Sequence, residues 1–438
     1  MNQNAPIKIA VVTLQYPPIG GGYSERITGF IKQWIRRGIV LHVVTAEPKG
    51  LGLHIDSASE SDVIGTRTVT RLKTLRGFLA RQNGELSGVA RLLWKILNLV
   101  LPPDGQLFWS MKAKREVERL YRNGEIDIVL TTSTPYSVHM AGLWLSKRYS
   151  GLAWVADFRD PWTTNYQKKQ VRQLPGRHWL NRWIEQRIYD KADAVVINTH
   201  QNLADLHEAF RLPKEKALVI QNGFDPDIVT NGEPKWLRDT GRFRLGYIGG
   251  FRGDWFEGAF LQALSLLKST AAEAYEKLDV LLVGTEEISD SMPKELGIDE
   301  KLHPCGFHPR DELGGWFASM DALLLVLPEN NGKPLGWVPQ RLYLYLSSGL
   351  PIFCVAPEGE AASYIQKSNS GVVLPPDDTQ QITMELKSWI LSSPPTFESR
   401  ATEVVNSFSQ VNLAMRFREL FKEVIAKKHN LAEAESGL

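Results

Sequence analysis

The sequence predicts an α/β protein made of two doubly wound, Rossmann-like domains in tandem, and three observations lead there. Short apolar runs of strand length alternate with stretches of helical spacing along most of the chain, the pattern of parallel sheets covered by helices. One polar, charged stretch with Pro and Gly, FDPDIVTNGEPKWLRDTGR (224–242), interrupts the alternation, which then restarts. The length, 438 residues, exceeds what a single core sustains and suits two domains.

The first strand is IKIAVVTL (7–14), followed by a Pro- and Gly-containing loop and by GYSERITGFIKQWIRRG (22–38), which has helical spacing and stops at Gly38. IVLHVVTAE (39–47) is the next strand. After a polar loop and a basic segment (71–122) come IDIVLTTST (126–134), a helix beginning near Ser137, LAWVADFRD (152–160), ADAVVINT (192–199) and KALVIQNG (216–223). These elements form an N-terminal domain over 1–223, and 224–242 reads as a linker. The second domain, 243–409, contains FRLGYIGG (243–250), a helix near 256–268, LDVLLVGTE (278–286), ALLLVLPE (322–329), LPIFCVAP (350–357) and GVVLPPDD (371–378). A helix over 410–427 is expected to pack back on the N-terminal domain. Residues 428–438, ending in HNLAEAESGL, read as a disordered tail.

Composition narrows the function classes. Hydrophobic residues at 43% and charged residues at 23% are ordinary for a globular protein. A formal net charge of +2 leaves no global footprint for nucleic acid. Cys305 and Cys354 lie far apart in or beside apolar stretches, so they read as reduced core thiols rather than a disulfide or zinc site. The start MNQNAPIKIAVVTLQ lacks the parts of a secretory signal, and no run approaches a membrane span, so a cytoplasmic protein is expected. Segment 71–122 qualifies this. Its stretch RLLWKILNLVLPP (91–103) combines a basic flank, Trp94 and large aliphatics. That fits either a helix packed on its own domain or one lying at the inner face of the cytoplasmic membrane.

Ligands of open parallel sheets bind beyond the carboxyl ends of the strands, and two such edges facing one another would enclose a cleft. Gly20, Gly21 and Gly22 follow the first strand and precede the first helix, where backbone N–H groups receive anions. GGGYSE is neither GxGxxG nor a P-loop, which leaves a flexible turn or a close approach to a ligand. In VADFRDPWTTNY, Asp157, Arg159 and Asp160 follow a strand and suit either an ion-pair network or catalysis. His139, in TTSTPYSVHMAG, falls in the first turn of a helix and reads as structural or ligand-binding. LGYIGGFRGDW places Gly249, Gly250 and Arg252 after a strand, a combination suited to a diphosphate or to a plain turn. NNGKPLGWVPQRLYLYLSSGLPIF puts a Gly-rich loop before a helix with Arg341 in its first turns, a second anion site. The one DxD, Asp225–Asp227, lies in the linker, and no metal site is expected.

Taken in order, YPPIGGGYSERI, ADFRDPW, VINT with IQNGFDPD, YIGGF, GFHPRDEL with ASMDALLLVLP, and VPQRLYLYLSSGLPIF with SGVVLPPDD resemble the family 4 glycosyltransferases, retaining enzymes with the GT-B fold. The likeness runs over nearly the whole chain, and ADFRDPW resembles a bacterial branch that builds surface polysaccharides or glycolipids. The resemblance implies an N-terminal domain for the glycan or lipid-linked acceptor and a C-terminal domain for a nucleotide-sugar donor, with no cofactor or metal. It assigns Gly21, Gly22, Gly250, Arg252, Phe307, Gly336, Trp337, Val338 and Arg341 to the donor. Gly20, Tyr23, Arg159 and Trp162 go to the acceptor, and His139 and Asp160 to catalysis near the transferred sugar.

The sequence also departs from the family. Leu344 stands where the family usually has a Glu for the ribose hydroxyls, and Gly336 stands at the companion Glu. The usual Lys after the first diphosphate Arg is missing, and Glu257 lies near its place. These changes leave open weaker ribose binding, an unusual donor, or a non-catalytic relative that binds a glycan or another transferase.

Overall fold

Mostly apolar runs are what a strand needs when helices cover both faces of its sheet, and the central strands of both halves have them, with Arg244 in β8 and Asp279 in β9 as polar exceptions. The computed structural model describes residues 6–436 except 21, 50, 52–54, 56, 82–83, 166–173, 229–231, 237–240, 252–257, 289–290, 329–335, 393, 395–396 and 398–399. The chain divides into two compact units, Met1–Asn222 with Gln410–Leu438, and Gly223–Ser409.

The first unit holds seven parallel strands: β1 (Lys8–Val12), β2 (Val40–Ala46), β3 (Thr68–Leu72), β4 (Ile128–Thr132), β5 (Ala153–Phe158), β6 (Ala194–Ile197) and β7 (Ala217–Val219), ordered β3-β2-β1-β4-β5-β6-β7. Val11 lies beside Val43 on one side and Leu130 on the other. Successive residues of β1 feed opposite faces. Ala10 and Val12 join one core with Trp109, Val117 and Trp154. Ile9 and Val11 join a second with Phe30, Trp34 and Phe417. That second core is closed by the last helix, Gln410–Ser436, packed on the first, Gly22–Ile35. Phe30 and Phe417 meet at 5.1 Å, and Trp34 Nε1 donates to the Ala414 carbonyl at 3.1 Å. At Gly29 a β-carbon would meet the end of the Gln410 side chain, which would have to turn away. The helix runs on to Ser436, through most of the stretch expected to be a disordered tail.

The second unit holds β8 (Phe243–Ile248), β9 (Leu278–Val283), β10 (Leu302–Pro304), β11 (Ala322–Val326), β12 (Ile352–Val355) and β13 (Gly371–Leu374), ordered β10-β9-β8-β11-β12-β13. Leu245, Leu264, Leu282, Phe353 and Trp389 join in one core of this unit, and Leu323, Leu325, Leu342 and Leu346 are buried outside it. The stretch expected to be a linker is, where described, attached to this unit. Phe224 N–H donates to the Phe408 carbonyl, Asp225 pairs with Arg310 at 3.2 Å, and the Lys235 and Trp236 N–H groups donate to Ser319 Oγ.

Two edge strands, β3 and β10, had no counterpart in the sequence reading. TVTRL is half-exposed and mixed in polarity, and LHP is three residues long and ends in proline, so neither forms an apolar run.

Candidate functional site

In each unit the strand order reverses beside the first strand, between β1 and β4 and between β8 and β11. At such a reversal the loops leaving two neighbouring strands diverge to opposite faces, and a crevice opens at the carboxyl edge. The sequence places its candidate loops at both reversals.

In the first unit, β1 leads to Gly20, half-buried, and to the helix that starts at Gly22. Gly21 lies outside the described residues, as do the side-chain surroundings of Tyr23. β4 leads to the segment that carries His139. That ring is fully buried and stacked on Phe158 at 4.1 Å. Its Nδ1 meets Thr131 Oγ1 at 2.8 Å, and the same hydroxyl accepts from Trp154 Nε1 at 2.9 Å. When Thr131 turns its own hydrogen to Nδ1, the imidazole hydrogen sits on Nε2, which is buried without a partner among the described residues. Burial lowers the His139 pKa to about 3. The ring is therefore neutral near pH 7, suited to giving or taking a hydrogen bond but not to acting as a general acid.

The ADFRDPW stretch splits by depth. Asp157 is buried and pairs not with Arg159 but with Arg26 of the first helix, at 2.9 Å, while Thr132 donates to its other oxygen at 2.7 Å. Arg26 also donates to the Gln221 and Ile220 carbonyls and to Asn222 Oδ1, so one guanidinium ties the first helix to β5 and to the segment after β7. Arg159 is buried, and Asp160 is half-buried with Asn198 Nδ2 at 3.5 Å. Trp162, expected to meet an acceptor, is 5% exposed and stacks parallel to Tyr136 at 5.1 Å as part of the core. Glu185 holds the following residue, accepting from Thr163 N–H and Oγ1 at 3.1 and 2.6 Å and from Tyr189 at 2.7 Å. Burial pushes its carboxyl above the usual range. Arg26 and Glu185 were missed in the sequence because their partners are 131 and 22 residues away.

In the second unit the pieces converge through their backbones. Gly249 and Gly284, after β8 and β9, have φ of 119° and 99°, and a β-carbon on Gly284 would lie 3.1 Å from Gly249 Cα. Thr285 Oγ1 donates to the Gly249 carbonyl and accepts from Phe251 N–H. Gly306 exchanges backbone hydrogen bonds with Gly284 and Thr285, which sets Phe307, 53% exposed, beside the same loops. Gly250 is exposed, with open space where a side chain would be.

Arg341 faces these glycines from the helix Gln340–Ser348. Its guanidinium lies 4.4 Å over the Tyr247 ring, and Nη1 would be 3.5 Å from a β-carbon on Gly249. That Nη1 is buried and has no partner among the described residues. The helix begins at Gln340 after Pro339, with no side-chain cap; Leu342 N–H donates to the Pro339 carbonyl, which leaves the Gln340 and Arg341 N–H groups without an intrahelical acceptor. Tyr345, one turn on, accepts from Ile248 N–H at 2.8 Å and fixes the helix to β8, while Gln340 Nε2 donates to the Gly223 carbonyl at 2.6 Å. Gly336 and Val338 are buried before the helix, with Trp337 half-buried. Leu344 is half-buried on the helix and brings no acceptor. Arg252 and Glu257 lie outside the described residues. The arrangement can bind an anion: a cation whose Nη1 has no partner among the described residues, an uncapped helix start and exposed glycine backbone beside it.

Residues 21–223 match the family model described as "Glycosyl transferase 4-like domain". The chain is 24% identical over 350 residues to a D-inositol 3-phosphate glycosyltransferase of Thermobispora bispora, covering 74% of this chain and 77% of that protein. Among solved structures it is similar to a sucrose-phosphate synthase from Thermosynechococcus elongatus, with a TM-score of 0.65 and 14% identity over 96% of this chain and 100% of that one. It is also similar to WaaG, a glycosyltransferase involved in lipopolysaccharide biosynthesis, with a TM-score of 0.53 and 14% identity over 97% and 99%. The structural likenesses assign the two parallel-sheet domains to the GT-B fold class. The family match is confined to residues 21–223.

Proposed function

We propose that this chain is a retaining glycosyltransferase, which moves a hexose from a nucleotide-sugar to a glycan, glycolipid or small-molecule acceptor in bacterial surface polysaccharide or glycolipid synthesis. The observation that carries the reading is Arg341. Its Nη1, without a partner among the described residues, in a guanidinium held over Tyr247 beside Gly249 and next to an uncapped helix start, supplies what a diphosphate requires. In the reaction the bond between the anomeric carbon and the diphosphate oxygen breaks and a bond to an acceptor hydroxyl forms on the same face of the sugar. Negative charge grows on the departing diphosphate, and donors already aimed at it lower the barrier without reorganising. Arg341 and the N–H groups of its helix take that role, and Arg252 belongs to the same set on the sequence reading. The charge is met by protein groups, so the reading calls for no metal. In the first unit, His139 and Asp160 belong near the transferred sugar on the sequence reading; the His139 ring is buried on Phe158 and Asp160 stands just past the end of β5. The names of the similar proteins support sugar transfer to polyol phosphates or lipid-linked glycans as acceptor chemistry.

Leu344 favours a second reading, a GT-B-fold partner that binds glycans or another transferase without turnover. The two are separated by incubating the purified chain with UDP-, GDP- and dTDP-sugars and measuring release of nucleoside diphosphate. Release that falls ~10²–10³-fold in Arg341→Ala supports the enzyme, this being the usual cost of one transition-state donor. Saturable glycan binding with no release from any donor supports the partner.

A further inference from the structure

The helix Gly88–Val100 turns its apolar side outward. Ala90 is its one buried residue, whereas Val89, Leu92, Leu93, Ile96, Leu99 and Val100 are between 41% and 81% exposed. At about 100° per residue these six fall within an arc of roughly 120°. A surface helix in water normally shows the reverse.

The face continues beyond the helix. Arg177 donates to the carbonyls of Leu99, Leu101 and Pro103, bringing up the start of the helix Arg177–Lys191. On that helix Trp179 and Trp183, one turn apart, are 70% and 49% exposed. Charge accompanies the apolar surface. Between Arg71 and Arg115 there are nine Lys and Arg against two acidic residues, Glu85 and Asp104, in a chain whose net charge is only +2. Asp104 is engaged, accepting from the Gln106 and Ser137 N–H groups.

We infer that this face docks on an anionic lipid bilayer, with the helix Gly88–Val100 lying in the interface. Its aliphatic arc enters the acyl boundary, the two tryptophans sit at headgroup level, and the surrounding Lys and Arg meet lipid phosphates. Among the described residues no helix is long and apolar enough to cross a membrane. Thirteen residues span about 20 Å against a hydrocarbon core of about 30 Å, so this helix lies on the bilayer rather than through it. Charge decides against a second copy as the occupant. A two-fold contact through this patch would set the basic segment against itself, whereas phosphate-rich lipid neutralises it. The inference stands independently of sugar transfer.

The test is co-sedimentation of the full chain with phosphatidylcholine vesicles and with vesicles containing about one-third phosphatidylglycerol. It compares wild type, Leu92→Glu/Ile96→Glu and Arg91→Glu/Lys95→Glu, all at exposed positions, with folding checked by circular dichroism. Wild type should bind the anionic vesicles at least ~10-fold more strongly than the neutral ones, and both variants should lose at least ~10-fold. Failure of wild type to bind, or equal binding by folded variants, overturns the proposal. So does a wild-type dimer in solution that Leu92→Glu/Ile96→Glu dissociates, because the face would then be a contact between copies.

Discussion

At the scale of single residues, the side chains that organise the sites are paired in ways that sequence order hides. Asp157 was legible as a strand-end carboxylate, yet the nearby Arg159 is not its partner. Arg26 is, because β1 and β5 flank β4 in the sheet and the first helix lies over them. Both groups are buried, and a buried charge that loses its partner costs about 3–5 kcal/mol. Arg26→Met should lower stability by that amount in urea unfolding. Adding Asp157→Asn should restore part of it, since Thr132 can still donate to the amide oxygen. His139 was legible as a strand-end histidine, but its burial against Phe158 was not, since no local pattern announces a stacked neighbour. The depressed pKa makes a signed prediction. The unfolded chain takes up a proton near 6.5 and the folded one only near 3, so this group's share of stability is complete above about pH 6.5 and is lost as pH falls towards 3. Between pH 7 and 5, wild type should lose about 2 kcal/mol relative to His139→Gln, read from urea midpoints at the two pH values.

At the scale of elements, the strand runs were legible because parallel strands buried on both faces must be apolar throughout. The edge strands β3 and β10 were not, because half-exposed edges carry no such run. The C-terminal helix was legible as a helix, but its extent to Ser436 was not. Its partner face is the first helix, where Gly29 lies against the Gln410 side chain and Phe30 and Trp34 meet Phe417. Leu413, Phe417, Phe421 and Val424 from this helix are buried in the second core of the first unit. Each contributes about 1.5–3 kcal/mol by burial, so together they rival the 5–15 kcal/mol that holds a domain folded. Deleting residues 410–438 should leave the first unit unable to fold, with near-ultraviolet dichroism lost and apolar dye binding gained. A truncated chain whose first unit keeps a cooperative thermal transition of its own would refute that account.

At the scale of the molecule, the two units repeat one plan. Each winds a parallel sheet outward from its first strand, reverses beside that strand, and sets glycine-containing loops at the reversal. The plan was legible from alternation alone, and the candidate loops from their place after strands. What the sequence could not supply was the state of each charged group at those loops. Arg26 and Arg341 are both arginines near helix starts beside Gly-rich stretches. Arg26 gives both terminal nitrogens to Asp157, Asn222 and backbone carbonyls and leaves only its Nε without a partner among the described residues, whereas Arg341 leaves a terminal Nη1 so. The central claim is that this unpaired group binds the diphosphate of a nucleotide-sugar. Calorimetric titration of UDP-, GDP- and dTDP-sugars into wild type and Arg341→Ala tests it most directly. Wild type should bind at least one donor saturably, and Arg341→Ala should bind it about 10–100-fold more weakly, the worth of one charged hydrogen bond. Saturable binding that Arg341→Ala leaves unchanged, or no saturable binding to any donor, would contradict the claim.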